Sequence, residues 1–136
     1  MKKLLIMLLM IVGLTTTTFG QIYNFTAFSL NYKVYNENRD YWSDWMGWSP
    51  CNIEVRMDVP QGNIKIFSKH YQSYNIMYKE SQGIFGGDDV TSFYCVDQDG
   101  IACRLKLVIR QSGQTEIYVE YKDVKWVYAV RKFQGS

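Results

Sequence analysis

The chain has one histidine, two prolines and three cysteines in 136 residues, and each scarcity closes off a kind of chemistry. With His70 alone and no C-x-x-C spacing among Cys51, Cys95 and Cys103, a zinc site lacks its usual ligands. The same shortage leaves no Ser-His-Asp or Cys-His pairing to build on spacing, and no glycine-rich phosphate loop occurs. Asp97-Gln98-Asp99-Gly100 looks like part of a calcium loop, but the further acidic position and the distal Glu are missing. No cofactor and no metal are therefore expected. No block of like charge is present, so the electrostatic footprint of a nucleic-acid binder is absent too. With only Pro50 and Pro60 to interrupt it and no low-complexity stretch, the chain is not composed like a disordered one.

Long apolar runs are also lacking, with one exception. Leu4–Leu14 is apolar, follows Lys2-Lys3 and gives way to the small, polar Thr15–Gly20. This is the pattern of an export signal. A permanent span takes about 20 apolar residues, so no stable membrane span is expected. The reading is a cleaved signal over 1–20 and a single domain over 21–136, secreted or periplasmic. Loss of Lys2 and Lys3 leaves 13 of the 15 basic residues against 13 acidic ones, a neutral mature chain.

What the chain has in quantity is aromatics, 11 Tyr, 4 Trp and 7 Phe, interleaved with Val and Ile at a period of two. Cys51, Ile53, Val55, Met57 and Val59 alternate with polar neighbours. So do Cys103, Leu105, Leu107 and Ile109, then Ile117, Val119 and Tyr121, then Trp126, Tyr128 and Val130. Strict alternation argues half-buried strands. Near 23–34 the phase shifts between Ala27 and Phe28, which a bulge would accommodate. The fold expected is all-β, an antiparallel meander of about eight strands forming a small barrel or a flattened sandwich.

Parity tests the hairpins. Strands that share an inward odd phase need a loop with an odd count, and Gln98-Asp99-Gly100 and Gln111-Ser112-Gly113 supply three each, with Gly in the left-handed position. Before Trp126 the parity switches, and the even loop Lys122–Lys125 fits. In a meander, alternate connections share an end. One end then collects 36–50, 69–71, 98–100 and 122–125, and the other collects 60–63, the Gly-rich 80–89 and 111–113.

Three exported cysteines leave one odd. The loop at 98–100 sets Cys95 opposite Cys103, the favoured disulfide, although at a hydrogen-bonded position where Cβ atoms lie apart. Cys51 bonded to either is the rival, as are three free thiols; otherwise Cys51 stays free or bonds between chains, and the oligomeric state is open.

The long connection 36–50 holds Trp42-Ser43-Asp44-Trp45-Met46-Gly47-Trp48. Its W-x-x-W-x-x-W-S-x-C run resembles the start of a thrombospondin type 1 repeat over ten residues, but that family's six cysteines and interleaved arginines are not here. Either the tryptophans roof the core, or Trp42, Trp45 and Trp48 form a stacking platform with Asp44 and Asp99 accepting hydrogen bonds from a sugar-sized ligand or protein surface.

The Trp-x-x-Trp loop leading to Cys51-Asn52-Ile53, together with Ile64–Ser68, Tyr94–Cys103 and Tyr118–Trp126, resembles small uncharacterised secreted all-β proteins of gut Bacteroidetes and their phages. That resemblance implies export and carries no activity. The function expected is an exported non-catalytic binding or accessory domain, its partner a glycan or a protein. The alternatives are a small secreted hydrolase using paired carboxylates, or a barrel binding a small lipophile.

Overall fold

The computed structural model describes residues 22–132; the export signal read from 1–20 lies outside them. Alternation becomes nine strands: β1 (Ile22–Asn36), β2 (Tyr41–Trp42), β3 (Ser49–Asp58), β4 (Asn63–Ile66), β5 (Gln72–Phe85), β6 (Asp88–Asp97), β7 (Ala102–Ile109), β8 (Thr115–Glu120) and β9 (Val124–Lys132). All pairings are antiparallel. β1 and β3–β9 follow one another as neighbours, and β1 returns to pair with β9 from Phe25↔Lys132 to Val34↔Val124. The sheet therefore closes as an eight-stranded barrel with β2 as an extra strand along β1. Closure pairs strand edges that an open sandwich would leave exposed.

The inward residues fill the lower barrel. Val55, Ile64, Ile66, Leu105, Ile117 and Val119 are fully buried, with Phe25, Phe93, Tyr74 and Tyr128 among them. Removing several such side chains from water at about 25 cal/mol per Å² is the main force holding the barrel shut. The phase shift in β1 is a bulge between Ala27 and Ser29, shared by both neighbouring strands. It returns Leu30 to the inner face opposite Tyr128, while Phe28 itself lies under the Arg131 guanidinium at 4.6 Å rather than in the core.

The C-terminal hairpins follow parity. Gly100 (φ 80°) and Gly113 (φ 96°) take the left-handed positions and donate their N–H groups to the carbonyls of Asp97 and Arg110. The last turn is tighter than expected: Tyr121 N–H donates to the Val124 carbonyl, so the loop is Lys122-Asp123 alone.

Two stretches read as connections are strands. β5 runs on to Phe85 and turns through Gly86-Gly87, both with positive φ, the pair a tight hairpin turn requires. Its irregular pairing with β6 breaks register between Ile76 and Tyr78 and again between Lys79 and Ser81, which erases the period-two signal. In the 36–50 connection, β2 pairs with Tyr35 and Asn36 of β1. Ser43 and Met46 N–H groups then donate to the Val34 and Tyr32 carbonyls, until Ser49 pairs with Leu30. Residues 41–58 thus follow one edge of β1 as a broken strand.

Candidate ligand-binding site

The inner face is filled only part of the way. At the end where the β4–β5, β6–β7 and β8–β9 connections meet, the barrel opens into a cup of about 610 Å³. Its walls come from strand positions: Leu30 of β1, Ile53 of β3, Tyr74 of β5 and Trp126 of β9. The rim comes from the turns and the strand ends beside them, with His70 and Tyr71 on one side, Asp97 and Asp99 on another, and Asp123 and Val124 on a third. The volume lies within the range of small-molecule sites, and apolar walls with a few convergent polar groups are their usual lining.

A chain of hydrogen bonds sets the wall side chains. Tyr74 donates its hydroxyl to Gln72 Oε1 at 2.5 Å. Gln72 Nε2 in turn donates to Tyr128 Oη and to Ser68 Oγ, each at 3.0 Å. Tyr121 donates to Asp97 Oδ2 at 2.7 Å, and Asp97 Oδ1 accepts the N–H groups of Asp99 and Ile101 at 2.9 Å each. Burial holds the phenols of Tyr74 and Tyr128 above their usual range; for Tyr121, burial and its bond to Asp97 act together. For Asp97, burial works upward, but the Ile101 N–H, the Tyr121 hydroxyl and the Asp99 N–H hold it below the usual carboxylate range. These groups are fixed in place before any ligand arrives, which lowers the ordering cost of binding.

One polar atom is left over. Trp126 Nε1 is buried and has no hydrogen-bond partner. The Tyr128 hydroxyl feels this N–H, but its bond of good geometry comes from Gln72. A buried donor without a partner costs about 1–3 kcal/mol, a cost the surrounding packing has to offset. The indole ring also stacks on Tyr121, with centroids 5.6 Å apart and planes 22° from parallel.

Of the residues expected to bind a ligand, Asp99 lines the cup. Trp42, Trp45, Trp48 and Asp44 do not. Trp42 and Trp45 lie against the outer wall, where the ammonium groups of Lys125 and Lys33 sit 4.5 and 4.8 Å from their ring centroids. Trp45 also meets Tyr118 edge-on. Behind them Val127, paired with Asn31 and Tyr118, is buried although it faces outward. Asn31 holds the broken strand there by accepting the Gly47 N–H. Trp48 is about half exposed.

The disulfide expected between Cys95 and Cys103 is not formed in this structure. The two residues are direct cross-strand partners, but all three cysteines are free. The pair lies two residues from the hydrogen-bonded Asp97–Ile101 pair, hence again at a hydrogen-bonded site with its wider Cβ separation. Burial pushes the Cys95 thiol up to about 12 and Cys103 up to about 11.

Leu30, Ile53, Gln72, Tyr74 and Trp126 were not singled out as a site from sequence. The inward parity of Leu30, Ile53 and Trp126 was legible; that the filling stops short of this end was not. Among the described residues, no group of three His, Cys, Asp or Glu side chains gathers as a metal site would, and no helix is long and apolar enough to cross a membrane. No family model, curated protein or solved structure matches this chain. Fold and site together describe an antiparallel barrel with an open, aromatic-walled cup.

Proposed function

We propose that this chain is an exported, non-catalytic binding protein that holds one small, mostly apolar molecule in the mouth of its barrel. The observation that carries the reading is the cup itself: about 610 Å³ bounded by Leu30, Ile53, Tyr74 and Trp126. Eight strands leave room for filling side chains or for one small ligand, and here the filling stops below the mouth. Against catalysis, Asp97, the cup carboxylate with hydrogen-bond partners, already commits both oxygens to its own turn and to Tyr121. The outer tryptophans serve the fold on this reading, because lysine ammoniums already occupy the ring faces of Trp42 and Trp45.

Native mass spectrometry of protein exported by its host tests the reading. A co-purifying molecule of a few hundred daltons is expected, retained by the Trp45→Ala variant and absent from Ile53→Trp, which fills the cup. Retention by Ile53→Trp would refute the site.

A further inference from the structure

The charges around the cup are one-sided. Among its lining side chains in the described residues, Asp97, Asp99 and Asp123 are carboxylates and Lys69 is the one fixed cation, counting His70 as neutral. An adjoining depression of about 550 Å³ shares Tyr121 and Asp123 with the cup and adds Glu37 and Asp40 against Lys122. The whole chain carries a formal net charge of +2, so the cup lining is acidic by arrangement and not by composition.

Aromatic faces stand in the same place. Tyr121 and Trp126 form a stacked pair in the wall, Tyr74 and Tyr71 line the cup beside them, and Asp97 is bonded directly to the Tyr121 hydroxyl. One carboxylate held in place, Asp97, with the exposed Asp99 and Asp123 near it, stands beside aromatic side chains, an arrangement that attracts an organic cation through the ring quadrupole and the negative charge together. An anionic head would meet three carboxylates and one lysine.

We propose that the ligand of the cup is a cationic amphiphile, an apolar body bearing an amine or quaternary ammonium group that seats at the rim by Asp97, Asp123 and the Tyr121–Trp126 pair. This rests on the cup being a binding site and adds the charge class of what it binds.

Three fluorescent probes with one shared body test it: diphenylhexatriene, its trimethylammonium derivative and its propionic acid derivative, each titrated into the chain at low salt. The neutral probe reports the cup, and the charged pair reports the rim. The cationic probe is expected to bind at least roughly tenfold more tightly than the anionic one, the scale of a desolvated cation–π contact. Asp97→Asn should shrink that gap. Since Asp97 also holds a turn, the double variant Asp99→Asn/Asp123→Asn carries the same test without that bond. Equal affinities, or an anionic preference, with the neutral probe bound and displaced by Ile53→Trp, would overturn the charge class and leave the cup standing. Failure of all three probes would overturn both.

Discussion

Trp45→Ala separates a wall-covering tryptophan from a free platform, and the structure sets the size of the effect. Trp45 keeps 37% of its exposure. A tryptophan that buries nearly two-thirds of its surface removes roughly 100–150 Å² from water, worth about 2.5–4 kcal/mol at 25 cal/mol per Å² as an upper bound. The Lys33 ammonium 4.8 Å from the ring adds about 0.5–1 kcal/mol at such a site. Against this, residues 43–48 lie at the surface and can settle onto Val127 once the ring is gone, so the full cavity cost does not apply. We expect a loss of about 2–3 kcal/mol in urea unfolding, with an unchanged m-value and a Tm lower by on the order of 10 °C. Probe binding in the cup should stay as in the unsubstituted chain, because Trp45 does not line it. A loss below about 0.5 kcal/mol would mean that the ring contributes nothing to the wall, and the outer-cover reading would fail.

Three further outcomes follow from named contacts. Asp97 is held below its usual range in the folded state, so its contribution is present above the unfolded carboxylate pKa and lost as pH falls through the folded one. The stability gap between the chain and Asp97→Asn should therefore close as pH drops below about 4, and a gap that widens on acidification would contradict this. In the reduced chain at pH 7.5, Cys95 and Cys103, buried with thiols raised to about 12 and about 11, should resist iodoacetamide until unfolding, while half-buried Cys51 reacts first; mass-spectrometric mapping reads the order. Gly87→Ala should cost about 1 kcal/mol in chemical denaturation, since φ is +89°, a conformation L side chains rarely adopt, while the Gln111 amide that a Cβ would meet can swing aside.

The barrel was legible where alternation is strict and loops are short. The β6–β9 meander follows from parity and from Gly100 and Gly113, because a one-residue slip would turn Leu105 and Val119 out to solvent. The second half of β5 was not legible. Residues 79–82, Lys-Glu-Ser-Gln, are exposed, and two irregularities break the register, so no apolar period survives. The 36–50 connection was read as a loop because its N–H groups donate now to β1 carbonyls and now to the Asn31 side chain, while the Val34 N–H of β1 donates to the Ser43 hydroxyl, a pattern without periodicity. For the site, topology gathered the turns 69–71, 98–100 and 122–125 at one end, and each contributes to the lining. Which aromatics stand in that lining depends on how far side-chain volume fills a closed barrel, and no local pattern records that.

The most direct test of the cup is a two-dimensional NMR titration of isotope-labelled protein with neutral diphenylhexatriene. The Trp126 indole N–H and the methyl groups of Leu30, Ile53 and Val124 should shift together and saturate at one ligand per chain, while Val55, Leu105 and Ile117 stay in place. Shifts confined to the indole signals of Trp42, Trp45 and Trp48, with the cup methyls unmoved, would contradict it.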